Sequence, residues 1–246
     1  MKVLRVIYIA AAILSVVPAM GQGRYSLPKY GAGLHLGTNL ATIHLNDKSY
    51  DIYSSTPVFG AIAGAWFQYR TESGISIRPE LAYKGRGGTL TCRDVRYNLL
   101  AHTLDVRLGV QLDFYVPRSF SSFYLVAAPG YVHTLGGRID YRSDVTGDLS
   151  MGLSASNIYG GDFELFCGAG FEYPIQKEGG MILLSGELGY NFTLANSFTR
   201  DERAGGVPSV NLADLSQPAT GSRLFRGFEI SVRVGLPFGK KLKIRR

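Results

Sequence analysis

The residues able to do chemistry are few and scattered along the chain. His44 lies near Asp47 and Ser49, and His133 is followed by Asp140 and Asp144; these residue types could supply a base, an orienting acid and a nucleophile. No nucleophile motif accompanies either group. His35 falls on the inward parity and His102 begins the fourth strand, and the glycines after Glu202 do not open a helix that could cradle phosphate. Cys92 and Cys167 could close one disulfide in an oxidising compartment but read as free thiols, and no C-x-x-C or Cys/His spacing suits a metal. The sequence therefore predicts no catalytic residue, no cofactor and no metal site.

Charged residues are more regular. Arg70, Arg78, Glu80, Lys84, Asp105, Arg107, Asp113, Asp162, Glu164, Glu172, Glu187, Glu229 and Arg233 occupy the polar parity of segments that alternate with a period of two. Such a set has a physical home inside a closed barrel. A lumen of about eight strands is just wide enough for side chains to fill it, and charges there must pair.

The elements that would hold them are strands. In 75–84, ISIRPELAYK, one parity is apolar and the other polar. The same test marks 30–43, 58–70, 98–114, 123–133, 159–173, 181–193 and 224–238, an even total, as single-chain outer-membrane barrels require. Connections alternate in length, with short ones at 71–74, 116–122 and 174–180 and long ones at 44–57, 85–97, 134–158 and 194–223. Short turns at one rim and long loops at the other place both ends of the barrel on the short-turn side.

Aromatics add a second constraint. Threading the strands alternately up and down puts Tyr30, Phe67, Tyr69, Phe114, Phe123, Phe171, Tyr173 and Phe238 near one rim. Phe59, Tyr83, Tyr131, Phe163, Tyr190, Phe192 and Phe228 fall near the other, all on the apolar parity. Two aromatic girdles are expected where a barrel meets both membrane interfaces.

The first residues read as a cleaved export signal: Lys2 and Arg5, an apolar run too short to span a bilayer, and small residues up to Gly21. The division is 1–21 signal peptide, 22–29 lead, 30–238 barrel and 239–246 basic tail. Composition agrees, with 31 Gly, 15 Tyr, 13 Phe and 18% charged residues. The net charge of +7 is concentrated at the ends. Of the 26 Lys and Arg, seven are Lys2, Arg5, Lys240, Lys241, Lys243, Arg245 and Arg246, and the remaining 19 equal the 19 Asp and Glu. That distribution predicts no nucleic-acid partner. The tail reads as a solvated extension, with a contact to anionic lipid headgroups or to a periplasmic protein as the alternative.

The segment SIRPELAYKGRGG resembles the strand hallmark of the PorT-like outer-membrane β-barrel proteins of Gram-negative bacteria. YGAGLHLGTNLA, FGAIAGAWFQYR, GDFELFCGAGFEY and LLSGELGYNFTLANSF are similar to that family's successive strands. The resemblance implies a small barrel in the outer membrane without an assigned reaction, in a family whose founding member is associated with type IX protein export. Outer-membrane lipid and a periplasmic or secretion-system protein are the partners it implies. Where many barrels close on a terminal aromatic, Phe238 is followed here by GKKLKIRR, so Phe238 acts as an internal insertion signal or insertion takes another route. The expected fold is thus all-β, a single antiparallel up-and-down transmembrane barrel with a narrow, filled lumen. Its expected role is non-catalytic binding, assembly or secretion support; a lipid-modifying enzyme and a small passive channel are the alternatives.

Overall fold

The computed structural model describes residues 25–45, 54–92, 95–116, 121–143, 147–154, 161–177, 180–194 and 223–244. The strands are β1 (Tyr25–Leu45), β2 (Ser54–Thr56), β3 (Val58–Arg70), β4 (Ile75–Cys92), β5 (Val95–Tyr115), β6 (Ser122–Ser143), β7 (Gly147–Ser154), β8 (Gly161–Lys177), β9 (Gly180–Thr193) and β10 (Arg223–Ile244). Following the ladders gives β4-β3-β1-β10-β9-β8-β6-β5, and β5 pairs back onto β4. Eight antiparallel strands therefore close into a barrel. β2 and β7 lie outside the ring, on β4 and β6 respectively. Closure matters because it leaves no wall strand with unpaired backbone groups facing lipid.

The wall is polarised in the reverse sense to a soluble protein. Leu34 and Leu36 are each 67% exposed, and Val106, Leu108, Val110, Leu188, Ile230 and Val232 likewise face outward. Their chain neighbours Asp105, Arg107, Glu187 and Ser231 are buried. Only hydrocarbon can satisfy such an exterior, so the wall spans a membrane. The aromatics lie on this outer face in clusters at both ends of the band. At the rim that carries the described chain ends, Tyr30 stacks on Phe238 at 5.6 Å beside Phe67 and Tyr69, and Phe123 meets Phe171 at 4.9 Å. At the opposite rim Tyr131 meets Phe163 at 5.5 Å, and Tyr190 meets Phe192 and Phe228 at 4.7 and 4.8 Å. Phe59, Tyr83 and Tyr173 are exposed as well, and Phe114 is half-buried across from Phe123.

Several segments expected to be loops are strand. β4 continues to Cys92 and β5 resumes at Val95, so 85–97 is the end of a long hairpin. β6 likewise runs to Ser143, and β7 pairs with it from Gly136↔Ser154 to Ser143↔Gly147. Above the Tyr83 and Tyr131 girdle, strands β2, β4, β5, β6 and β7 therefore stand out of the barrel as one sheet. At about 3.3 Å per residue, the stretch from Tyr131 to Ser143 is roughly 30–40 Å of strand. The expected lead and tail are also paired: Tyr25↔Ile244 through Pro28↔Lys241 extend β1 and β10 past the other rim. The export signal and most of 194–223 lie outside the described residues.

Candidate functional site

The lumen is the densest polar constellation. Inward parity on each wall strand points its charges at the barrel axis, where they gather in three layers. At the rim nearest the described chain ends, Arg70 Nη2 donates to Glu172 at 2.7 and 2.8 Å and to Gln68 at 2.9 Å. Asp113 there accepts from Ser76 Oγ and Gln111 Nε2, each at 2.6 Å. In the middle layer Arg78 lies 2.5 Å from Glu80 and 2.6 Å from Glu187, and Arg233 bridges the same two carboxylates at 2.5 Å each. In the outer layer Arg107 engages Glu164 at 2.5 Å, Glu229 at 2.9 Å and Asn191 at 2.6 Å, while Lys84 contacts Asp105, Glu164 and Glu229. Asp162 is buried at the top of β8.

Thus all thirteen charged residues read from the sequence face the interior, and pairs far apart in sequence meet across it. The sequence reading missed one charged member of the set. Arg86, assigned to a loop, points inward at 3.6 Å from Glu164 and 3.7 Å from Asp105. Inward aromatics were missed too. Trp66, Tyr124 and Phe166 are buried among the charges, with the Arg107 guanidinium 4.8 Å from the Phe166 ring and that of Arg78 5.5 Å from Tyr124. Glycines opposite them make the room. A Cβ on Gly189 would sit 2.2 Å from Phe166, on Gly170 2.3 Å from Tyr124, and on Gly235 2.4 Å from Trp66. Those glycines on the inward parity were the available signal.

Asp105, Glu164 and Glu229 offer carboxylate oxygens within 4.8 Å of one another, a spacing that could hold a cation. The Lys84 ammonium and the Arg107 guanidinium already sit among them, so protein cations fill that role. At the outer end Asn39, Lys84, Arg86, Asn191 and Glu229 line a cavity of about 10 Å³, room for a single water. Beyond it the apolar side chains of Ala41, Ile43, Leu99, Ala101 and Phe225 are buried.

The histidines do not assemble. His35 is buried in the lumen. His102 lies on the outer face, where its Nδ1 meets the Tyr83 hydroxyl at 2.5 Å. His133 is exposed, and Asp140 is engaged by Ser150 Oγ at 2.7 Å and Arg138 at 3.0 Å. Asp47, Ser49 and Asp144 lie outside the described residues, as do the side chains of His44 and Cys92. Cys167 is a free thiol on the outer face.

No protein-family model matches the chain, and no curated sequence does. Among solved structures it is similar to the outer-membrane protein OprG of Pseudomonas aeruginosa, with 10% identity over 87% of this chain and 98% of that one and a TM-score of 0.46. Neisserial surface protein A gives 13% identity over 85% and 99%, with a TM-score of 0.43. Ail, the attachment invasion locus protein of Yersinia pestis, gives 10% over 85% and 99%, with a TM-score of 0.39. The closed strand register of this chain, independent of those likenesses, defines its barrel.

Proposed function

We propose that the protein is an integral barrel of the Gram-negative outer membrane, exported by a cleaved signal at 1–21, that acts without catalysis as a binding, assembly or secretion-accessory component through its surfaces. The observation that carries this reading is the filled lumen. Among the described residues, buried arginines and a lysine bridge carboxylates from opposite walls and fill the lumen, which supports a role carried by the outer surfaces. What remains for a partner is the outside, above all the projecting sheet of β2, β4, β5, β6 and β7. The resemblance of SIRPELAYKGRGG and its companion segments to PorT-like proteins supports a secretion-linked role and a periplasmic or secretion-system partner. Conduction is disfavoured by the ion pairs that span the lumen. A lipid-modifying reaction at His133 is disfavoured by its place seven residues from Asp140 along β6, roughly 23 Å of strand, and by the engagement of that carboxylate with Ser150 and Arg138.

The test is site-specific photo-crosslinking in intact cells, with the crosslinker at Asp148 on the projecting sheet or at Lys240 on the opposite rim. A discrete protein adduct from either position supports the reading. Lipid adducts alone, together with stepwise conductance in planar bilayers, would replace it with a channel.

A further inference from the structure

At the rim that carries the described chain ends, β1 and β10 leave the barrel together. The last contact of β1 with β3 is Tyr30↔Tyr69, and β10 parts from β9 at Gly235↔Leu183. Beyond these points β1 and β10 pair only with each other among the described residues, from Pro28↔Lys241 to Tyr25↔Ile244. The result is a two-stranded ribbon with open edges. At its base the register shifts between Pro28 and Tyr30, so that Gly239 and Lys240 oppose Lys29 alone. Gly239 has φ +86°, and a Cβ there would lie 2.7 Å from the Tyr30 ring. A bulge with glycine in the left-handed region bends a strand, and here it turns the ribbon at the membrane rim.

The ribbon is cationic without compensation. Lys29, Lys240, Lys241 and Lys243 fall in its described stretches 25–30 and 237–244, and neither stretch holds an Asp or Glu. Its depth is marked by Lys29, whose Nζ lies 5.0 Å from the Tyr69 ring and 5.7 Å from that of Tyr30. Both rings belong to the lipid-facing cluster with Phe67 and Phe238. Aromatic rings of this kind settle at the headgroup level, and a lysine beside them reaches toward the phosphates. Lysines along open edges also discourage the addition of a foreign strand, which argues against an extended peptide as the occupant.

We propose that this ribbon, with Lys29 and the four-ring cluster at its base, is a docking surface for anionic phospholipid headgroups of the periplasmic leaflet. The inference rests on the membrane-inserted reading and adds a lipid class to it. Each cation held near an anionic surface contributes about 1 kcal/mol within a Debye length, so removing three lowers the preference for anionic lipid about a hundredfold at low salt.

The experiment uses the full chain folded in neutral detergent, with the lipids retained on it counted by native mass spectrometry. Phosphatidylglycerol is compared with phosphatidylcholine, and inorganic phosphate and an acidic peptide serve as competitors. The variants are Lys240→Gln, Lys241→Gln and Lys243→Gln combined, and the same three positions changed to Arg; heat-dependent gel mobility reports whether each is folded. The expected result is a phosphatidylglycerol preference in the wild type and the Arg variant that falls about a hundredfold in the folded Gln variant and is suppressed by salt. Three results would overturn the proposal: an unchanged preference in the Gln variant, equal competition by free phosphate, or stronger binding of the acidic peptide. Failure of the wild type to insert into bilayers would remove the membrane reading itself, whereas insertion without lipid preference removes only the docking surface.

Discussion

Replacing Glu80 with leucine tests whether the lumen charges hold the barrel together. Glu80 is 7% exposed and lies 2.5 Å from both Arg78 and Arg233. The middle layer is balanced, two arginines against Glu80 and Glu187, and Glu80→Leu leaves both guanidinium groups with Glu187 alone. Breaking a buried pair by deleting one partner costs about 3–5 kcal/mol. The leucine regains little, because its surroundings are charged. Adding Arg233→Leu restores neutrality around the Arg78 and Glu187 pair, so the double variant should recover roughly half or more of the loss, a non-additive result. The assay is reversible urea unfolding in lipid bilayers, followed by the fluorescence of Trp66, the sole tryptophan. Trp66 is buried and pairs in register with Glu80, so it reports on this layer. A single variant within about half a kcal/mol of wild type, the range of ordinary surface substitutions, would refute the reasoning, as would strictly additive losses.

On the outer face Leu108, 53% exposed and opposite Pro79 in the middle of the wall, should behave as a lipid contact. Leu108→Arg is expected to cost about 2–4 kcal/mol in bilayer unfolding and Leu108→Phe close to nothing. Gly189→Ala should cost about 1–3 kcal/mol by overpacking, since its Cβ would meet Phe166 at 2.2 Å, and adding Phe166→Leu should relieve the ring's share of that loss while the contact at 2.8 Å with the Cys167 carbonyl oxygen remains. For topology, a cysteine at Ser150 in a background lacking Cys92 and Cys167 should react with an impermeant maleimide in intact cells. One at Lys240 should react only after the outer membrane is permeabilised; the reverse pattern would invert the barrel.

The barrel wall was legible because lipid outside and charge inside impose opposite polarity on adjacent residues over the whole membrane span, as in β5 from Leu104 to Leu112. The projecting sheet was not, because that polarity inverts on leaving the membrane. Higher on β5, Leu99 and Ala101 are buried while Arg96 is exposed on the parity that carries Val106 and Leu108 below. A strand whose apolar face changes sides reads as a break in pattern, and Gly85, Gly87 and Gly88 are residues of a loop-like composition. Close backbone approach explains one of those glycines, since a Cβ on Gly87 would lie 2.0 Å from the Leu99 carbonyl oxygen. Arg86 was lost from the lumen set for the same reason. Phe166 and Tyr124 escaped because an aromatic on the inward parity runs against the polarity rule. Only the facing glycines betray it, and which glycine faces which ring depends on a register the sequence does not state. The ribbon reads in the sequence as a lead and a basic tail because its two halves lie far apart along the chain.

The most direct test of a filled barrel in a bilayer is a nitroxide scan of the protein reconstituted in lipid, measuring collisions with oxygen and with a water-soluble nickel chelate. Labels at Val106, Leu108 and Val110 face outward, and labels at Ser185 and Ser231 face the lumen. The outward labels should collide with oxygen and not with the chelate, and the lumen labels with neither. Chelate access at the outward positions would mean a soluble sandwich, and chelate access at Ser185 and Ser231 would mean an open pore.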